Sequence, residues 1–207
     1  MSTRTFPSAR PQPTDDRRQG VAITGVGVKT ALGATKDVLW SGLLAGRSAA
    51  GPVTLFDAAE LPVRLACEAK DFDASAYASA KEQRRLERST LLALGAASDA
   101  WEDAGPFAPD PSRTAVVVGT GLGGAASTEA QAVTFAERGW PSVSPLWASQ
   151  AMGGTAAAAV AIRLGVTGPT WVLAAPAPRG CRPSNSGASW WRTAPSTSPS
   201  PVAVTAP

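Results

Sequence analysis

Residues 168–180 have the sequence GPTWVLAAPAPRG, and this stretch decides how the rest of the chain is interpreted. Its first half is typical of a short buried strand, because an apolar run over 171–175 follows a Gly-Pro pair. In its second half, Pro176 and Pro178 lack backbone donors and force the residues before them into extended conformation. We therefore expect the strand to end in a turn that carries no nucleophilic side chain.

The composition predicts one domain with tails. A chain of 207 residues can bury a full core, and no apolar run approaches the length of a membrane span. The amino terminus lacks the apolar segment of a secretory signal. Cys67 and Cys181 show no metal-ligand spacing and no disulfide framework, which is typical of a reducing compartment. We expect a cytoplasmic protein that does not associate with membranes.

The distribution of charge argues against nucleic-acid binding. The net charge is +3, and residues 176–207 account for all of it with three arginines and no acid. Residues 1–175 hold 16 basic and 16 acidic side chains, so they offer no sign of the cationic face that phosphates require. The chain has no histidine, which excludes Ser-His and Cys-His pairs within it and most zinc sites. We expect neither a metal nor a cofactor.

Hydrophobic periodicity predicts an α/β fold with a mostly parallel sheet, because strands and helices alternate along the chain. Residues 1–20 are polar and proline-rich, which indicates a disordered arm. In the helix at 36–45, Thr35 is the expected N-cap. The side chains expected to be buried are Val38, Leu39, Trp40 and Leu43. The elements are expected as follows: strands at 21–28, 63–67, 114–118 and 171–175, and helices at 36–45, 81–104, 127–138 and 150–164.

Two motifs have a functional and a structural interpretation. The glycines at 119, 121 and 124 follow a strand and precede a helix, as in a dinucleotide-binding fingerprint. No acidic residue ends a strand about 20 residues further on, so a turn for close strand–helix packing is the better interpretation. Cys67 lies in an expected half-buried strand without a visible base, which favours a packed thiol over a nucleophile.

Five segments occur in unbroken order over about 21–175 and are informative as a set. They are VAITGVGVKTALG (21–33), LLAGRSAAGPVTLFD (43–57), CEAKDFD (67–73), VVVGTGLGG (116–124) and AIRLGVTGPTWVLAA (161–175). Together they resemble the N-terminal half of β-ketoacyl synthases, the condensing enzymes of fatty-acid and type II polyketide synthesis. The resemblance implies a thiolase-like fold with αβαβα layers, usually dimeric, of which this chain would contain the N-terminal half only.

The resemblance also locates the catalytic machinery. The family has an Ala-Cys-Ala-Ser-Gly-like motif where the strand at 171–175 ends, and its nucleophilic cysteine falls at Ala177. In the family that cysteine carries the growing acyl chain as a thioester. The family's two catalytic histidines and a conserved lysine lie in the second half, and the histidines assist decarboxylation of a malonyl thioester on acyl carrier protein. None of these roles has a residue here, so no intact catalytic residue is expected.

The composition changes abruptly after residue 175. Residues 176–207 hold 7 of the 18 prolines and no Asp, Glu, Leu, Ile, Phe or Lys. This bias is typical of a disordered tail. It is also typical of a GC-rich gene translated out of frame. Pro-Ala-Pro-Arg-Gly can be encoded CCT GCG CCT CGG GGN, and one added G in front yields Ala-Cys-Ala-Ser-Gly with the cysteine at position 177.

These patterns predict three regions: a disordered arm (1–20), a truncated β-ketoacyl synthase N-terminal domain (21–175) and a disordered or out-of-frame tail (176–207). The predicted function is that of a β-ketoacyl-acyl-carrier-protein synthase fragment, an acyltransferase by family and inactive in this form. Acyl carrier protein and a second ketosynthase-type subunit are the partners that the resemblance implies. The alternatives are a non-catalytic partner subunit resembling chain-length factors, and a nucleotide-binding α/β protein.

Overall fold

A computed structural model describes residues 22–106, 108–174 and 200–203. Short 3-10 helices occupy Ala74–Ala76, Pro111–Arg113 and Trp140–Ser142. The α-helices are α1 (Lys36–Leu44), α2 (Ala80–Gln83), α3 (Arg88–Asp103), α4 (Ala125–Arg138), α5 (Trp147–Ala151) and α6 (Thr155–Leu164). The strands are β1 (Gly51–Pro52), β2 (Leu65–Ala66), β3 (Thr114–Thr120), β4 (Thr170–Ala174) and β5 (Ser200–Ala203).

The main sheet has three parallel strands in the order β4-β3-β5. The register between β3 and β4 runs from Val116 opposite Thr170 to Thr120 opposite Ala174. The predicted parallel arrangement is confirmed, as are the strand at 114–118 and the described part of the strand at 171–175. The two strands of the second sheet, β1 and β2, are only two residues long and antiparallel.

The core lies where α3 and α6 pack against one face of the main sheet. Val116, Val118 and Val160 are its largest fully buried apolar side chains. Alanines line the facing helix surfaces, and they permit close approach because a methyl group is the only side chain to accommodate. The fully or almost fully buried alanines are Ala93, Ala96, Ala97 and Ala157.

Helix α1 begins where the sequence predicts, but its apolar side chains are not buried. Thr35 is the N-cap, and its side chain accepts a hydrogen bond from the Val38 amide at 3.4 Å. The expected burial of Val38, Trp40 and Leu43 is wrong, because all three side chains are exposed. Gly42 is the one buried residue of the helix. No described element covers this apolar side of α1.

Both long helices predicted from periodicity are interrupted. The predicted helix at 81–104 divides into α2 and α3, because Ser79 and Glu82 form a capping box for a short helix and Glu87 is extended before the next. The predicted helix at 150–164 divides into α5 and α6, with Met152 extended between them. Periodicity misses such breaks because the apolar stripe continues across them.

The strand predicted at 21–28 is wrong for its described part, since residues 22–29 pair with no strand. They run along α3 instead, with Gly25 and Gly27 against its backbone, and the Val26 amide donates to Asp103 at 3.0 Å. The predicted strand at 63–67 is reduced to β2. Cys67 lies just after β2 and is exposed, so its expected half-burial is also wrong. A β-branched composition indicates an extended chain, but the partner strand depends on tertiary packing.

Candidate functional site

The candidate site is the edge of the main sheet where β3 and β4 end. Because the two strands are parallel and in register, Thr120 and Ala174 lie side by side at this edge. The chain leaves β3 through the glycine-rich loop at 119–124 and leaves β4 toward position 177. Ligands of open parallel sheets bind at this carboxyl edge. In the sequence, the position that the family resemblance assigns to the nucleophile comes three residues after Ala174.

A cavity of about 30 Å³ lies at this edge, between the sheet and the start of α3. It has room for about one water molecule, whereas nucleotide-sized ligands occupy roughly 300–1,000 Å³. Its polar lining comprises Glu87, Ser89, Thr90, Thr120 and Gln150. The Gln150 side-chain amide donates to the Arg85 carbonyl at 3.1 Å, which connects α5 to the turn before α3. Among the residues that the structure describes, no lysine or arginine lines the cavity.

The glycine-rich loop packs tightly against the helix on its other side. Gly124 has φ +83°, and a Cβ atom there would lie 2.3 Å from the Ala151 carbonyl oxygen. A Cβ at Gly123 would approach Thr120 Oγ1 at 3.0 Å. Position 124 needs a residue that adopts a left-handed backbone conformation and has no side chain to collide with the Ala151 backbone, and only glycine has both properties. The loop geometry therefore supports the packing interpretation of these glycines.

The start of α4 already has an anionic partner. Glu87 accepts a hydrogen bond from the Ser127 amide at 3.3 Å and another from the Ser89 hydroxyl at 3.1 Å. A carboxylate at a helix N-terminus is favourable, because it offsets the partial positive charge of the unpaired amides. The same carboxylate would repel a pyrophosphate at this position. This electrostatic arrangement disfavours the dinucleotide interpretation of the loop.

Position 177 lies outside the described residues, so the assignment of Ala177 to the nucleophile's place stays a prediction. The structure does not bring Cys67 to the site, because its thiol is exposed after β2 and does not line the cavity. Within 22–106 and 108–174, no group of three or more His, Cys, Asp or Glu side chains is placed to hold a metal ion. In the same ranges, no helix is both long and apolar enough to cross a membrane.

Sequence reasoning missed a buried polar cluster around Lys29. The Lys29 side chain is 3 % exposed and donates to Asp99, to the Tyr77 hydroxyl at 2.7 Å and to the Ala34 carbonyl at 2.9 Å. Burial by itself lowers the pKa of Lys29, but the hydrogen bonds and charges of Asp99 and Tyr77 raise it above its usual value. The sequence offers one signal for this cluster: Lys29 directly follows the β-branched run at 21–28, where a charged side chain needs a partner if it is buried.

The cluster fastens residues 22–36 to α3. Lys36 pairs with Asp103, one helical turn beyond Asp99, and Asp103 also accepts from the Val26 amide. These hydrogen bonds, above all that from Lys36, hold the pKa of Asp103 below its usual value. The cluster is a structural attachment at a distance from the candidate site, since none of its residues lines the cavity.

Comparison with known proteins identifies the family. The model of the family described as "Beta-ketoacyl synthase, N-terminal domain" matches residues 18–175. The chain belongs to the β-ketoacyl synthase family. A curated relative, the chloroplastic 3-oxoacyl-[acyl-carrier-protein] synthase I of Hordeum vulgare, is 33% identical over 173 residues, which is 80% of this chain and 37% of the relative. The chain thus spans little more than a third of that synthase's length.

Solved ketosynthase structures share the fold. The ishigamide ketosynthase/chain length factor superposes with a TM-score of 0.75 at 24% identity, over 83% of this chain and 43% of that chain. A type II polyketide acyl-carrier protein in complex with its ketosynthase superposes with a TM-score of 0.64 at 17% identity, over 83% of this chain and 46% of that chain. The fold class is therefore thiolase-like, and the similarity covers its N-terminal half.

Proposed function

We propose that this chain is the N-terminal part of a β-ketoacyl-acyl-carrier-protein synthase whose reading frame is lost at codon 176, and that it is inactive in this form. The family similarity ends at residue 175, and β4 keeps its register with β3 as far as Ala174. The composition changes at residue 176, inside the strand-to-turn motif. A linker would instead be expected at an element boundary, where backbone hydrogen bonding ends. The proposal rests on one observation: the family similarity ends at residue 175, and the composition changes at the very next residue.

The proposed activity of the intact enzyme is decarboxylative Claisen condensation in fatty-acid or polyketide synthesis. A cysteine at position 177 would stand at the carboxyl edge of the sheet, beyond Ala174 and beside the glycine-rich loop. A helix starting there would stabilise its thiolate. This chain has Ala177 at that position and no histidine, so acyl transfer has no nucleophile and decarboxylation has no imidazole. The proposed partners are acyl carrier protein and a second ketosynthase-type subunit, in the cytoplasm.

Sequencing the source DNA around codon 176 tests the frame directly. We expect that one added base restores an open frame with cysteine at position 177, a strand ending in Ala-Gly-Gly and two downstream histidines. A stop within a few dozen codons, or a frame without histidines, would show that residues 176–207 are a genuine tail.

An acyl-loading experiment distinguishes two causes of the proposed inactivity: the lack of a thiol at position 177 and the loss of the reading frame after codon 175. We expect no stoichiometric labelling of this chain by a radiolabelled acyl thioester, because it has no thiol at position 177. We expect none of its Ala177→Cys variant either, because Pro178 disfavours helical backbone at position 177 and the chain has no histidine to act as a base. The frame-restored gene product should label at position 177. Specific labelling of the unmodified chain would refute the proposed inactivity. Labelling of the Ala177→Cys variant would show that the turn forms without the restored frame.

The exposed apolar side chains support the proposal that further chain covers this fragment. Ile23 is 84% exposed, and Trp40, Leu44, Leu55 and Phe56 are all more than half exposed. Exposed apolar side chains favour association when a neighbouring surface can cover them. We expect the isolated chain to be insoluble, oligomeric or loosely packed in size-exclusion and thermal-melting experiments. A monodisperse monomer with a sharp cooperative transition would contradict this expectation.

A non-catalytic subunit resembling a chain-length factor is the second candidate. Its supporting observations are the absence of a nucleophile at 176–180 and the fold similarity to a ketosynthase/chain length factor. Co-expression with a tagged ketosynthase subunit tests it, and a stable 1:1 complex would favour it over the frameshift proposal. Dinucleotide titration tests the third interpretation, for which we expect no saturable binding, because the cavity is small and contains Glu87.

A further inference from the structure

Thr90 carries a buried hydroxyl that has no partner among the described residues. It lies in the first turn of α3 and is 3% exposed. Neither a donor nor an acceptor from the described part of the chain forms a hydrogen bond with this hydroxyl. Leaving such a group unpaired costs free energy, so a buried hydroxyl in a folded protein normally has a partner.

The cavity at the carboxyl edge of the main sheet is the place from which a partner reaches this hydroxyl. Thr90 lines the cavity near the end of β3. In the described ranges, the Trp147 indole nitrogen is the only fully enclosed side-chain polar atom without a partner, so the Thr90 oxygen keeps some accessible surface. A partner for Thr90 therefore has to lie in the cavity.

Thr120 brings a second hydroxyl to the same cavity, also without a hydrogen bond to the described residues. A Cβ atom at Gly123 would lie 3.0 Å from Thr120 Oγ1, and one at Gly153 would lie 3.6 Å from its Cγ2 atom. Both glycines line the cavity, so the Thr120 side chain lies at the wall that they form. The cavity of about 30 Å³ is little larger than a single small occupant, so one molecule can contact both hydroxyls.

The charges around the cavity disfavour an ion of either sign. Three helices begin there, because Ser89, Gly124 and Ala156 belong to the starts of α3, α4 and α6. None of their N-cap residues forms a side-chain cap, so the first-turn amides give the region a partial positive charge that disfavours a cation. The Glu87 carboxylate on the same wall disfavours an anion. A neutral molecule that both donates and accepts hydrogen bonds fits this environment.

We propose that the cavity binds one water molecule, which bridges the hydroxyls of Thr90 and Thr120 and thereby joins α3 to the glycine-rich loop. The volume exceeds the roughly 10–15 Å³ that a water needs, and the wall offers the two to four polar partners that hold one. The inference goes beyond the proposed function, because every residue that lines the cavity precedes codon 176. It holds whichever frame the gene encodes.

Thr90→Val tests the water through the direction of its effect on hydrogen exchange of peptides from 114–120 in the full chain. Valine keeps the branched shape and removes the hydroxyl. If a water pairs this hydroxyl, its loss removes a hydrogen bond, and exchange should become about fivefold faster. If the hydroxyl is unpaired, valine removes a buried unsatisfied group, and exchange should be unchanged or slower. Either of the latter results would overturn the proposal.

A double-mutant cycle tests whether one molecule serves both hydroxyls. Thr120→Val should also accelerate exchange of 114–120 about fivefold, and the double variant should show about the same fivefold effect, because both substitutions break one bridge. Independent effects would multiply to about 25-fold and would exclude a shared water. Thr114→Val is the matched control, since its hydroxyl donates to the Asp110 carbonyl at 2.8 Å at the other end of β3. Its effect should multiply with that of Thr120→Val.

A second pair of variants applies if Thr90→Val does not fold. Thr90→Ser and Thr90→Ala both lack the methyl group and differ by one hydroxyl. We expect peptides from 114–120 to exchange about fivefold faster in the alanine variant than in the serine variant. Equal exchange in the two would overturn the proposal. Digestion after quenching makes all of these measurements independent of oligomeric state.

Exchange in different salts distinguishes the water from a bound ion. The measured quantity is the ratio of exchange rates between Thr90→Val and the unmodified chain, in which general effects of salt on stability cancel. We expect the same ratio in sodium, potassium and choline chloride and in sodium phosphate at equal ionic strength. A ratio that falls to one in choline chloride would identify a cation, and one that rises only with phosphate would identify an anion. Each of these results would overturn the assignment to water.

Discussion

Two regions of this molecule place valine side chains in opposite environments: they are buried in β3 and exposed in the segment between residues 22 and 66. In β3, Val116, Val117 and Val118 are each at most 4% exposed. Between residues 22 and 66, Val26 and Val63 are 47% and 68% exposed. In the first region, the strand's valines pack against α3, which precedes β3 in the sequence, and α6, which follows it. In the second region, these two valine side chains remain largely uncovered by the described part of the chain.

The two regions are consequently held by different forces. The region around β3 is stabilised by burial of apolar side chains at high packing density. Residues 22–70 are fastened by polar groups: the Lys29 cluster, the Lys36–Asp103 pair and the Glu68 carboxylate. Polar attachments position a segment, but each contributes little net stability in water. The comparison predicts that substitutions will cost most in the first region.

The largest effect is expected from Gly124→Ala. The new Cβ would meet the Ala151 backbone at 2.3 to 2.5 Å, and φ is +83° at this position. Neither backbone can give way easily, so we expect β3 to become less stable by about 3 kcal/mol. The opening free energy of peptides from 114–120, measured by hydrogen exchange, reports this loss. Gly154→Ala is the control, because a Cβ there meets nothing within 4 Å. Equal effects at both positions would contradict the packing role of Gly124.

Val116→Ala and Val63→Ala compare the two regions with the same chemical change. Val116 is fully buried, so its truncation leaves a cavity and should lower the stability of β3 by about 2 kcal/mol. Val63 is largely exposed, so its truncation should change stability by less than about 0.5 kcal/mol. Hydrogen exchange of 114–120 and of 60–66 measures the two effects. If Val63→Ala lowered stability as much as Val116→Ala, the Val63 side chain would have to be covered by a segment or subunit outside the described residues.

Lys29→Met tests the polar attachment of residues 22–36. The substitution leaves Asp99 and the Tyr77 hydroxyl without their buried donor, and we expect a loss of about 1.5 kcal/mol. Thermolysin should then cleave within 22–36 about tenfold faster, since cleavage follows the population of the open segment. Lys36→Met is the control and should have a much smaller effect, because its pair with Asp103 is exposed to solvent. The reverse order would contradict the Lys29 attachment.

The smallest effect is a pH dependence at Glu68. Its carboxylate accepts from the Thr54 hydroxyl at 2.7 Å and from the Thr54 and Leu55 amides at 2.9 and 3.1 Å. The Thr54 hydroxyl contributes most to lowering the pKa of Glu68 to about 2. The ionised form is thus bound more strongly in the folded chain. Its stabilising effect is present above the usual carboxyl pKa of about 4.5 and declines as pH falls toward 2.

Pepsin cleavage near residues 54–56 measures this dependence against Glu68→Gln. Glutamine does not titrate, so the ratio of its cleavage rate to that of the unmodified chain cancels the pH dependence of the protease. We expect the ratio to exceed one at pH 4.5 and to approach one near pH 2. A ratio that stays constant over this range would show that Glu68 does not hold residues 54–55.

Much of the fold could be predicted from local chemistry. Thr35 begins α1, the branched run at 114–118 forms β3, and α4 covers the predicted helix at 127–138. These elements have boundaries set by a cap, a β-branched run or a glycine close in sequence. The breaks before α3 and after α5 were missed, because an apolar stripe shows which side of a helix is buried but not whether the helix is continuous.

The candidate site was only partly accessible to sequence analysis. The glycine-rich loop and the end of β4 were recognised separately, and the parallel register then placed Thr120 beside Ala174. The hydrogen bond from the Ser127 amide to Glu87, at the start of α4, joins two residues that are 40 positions apart. The cavity is likewise lined by residues from distant parts of the chain. No local pattern signals such a contact, because it depends on how two helices are oriented around the sheet.

The sequence by itself determined the family, the α/β class and the discontinuity at residue 176, because ordered motifs and composition are properties of the chain alone. Only the tertiary structure decided which extended segments pair. Residues 22–28 have the composition of a strand yet pair with no strand, whereas Ser200–Ala203 pairs with the edge of β3 opposite β4. A strand forms through hydrogen bonds to a neighbour, so its existence depends on which segment reaches that neighbour's edge. Burial of Lys29 follows the same rule, since its partners Tyr77 and Asp99 come from distant parts of the chain.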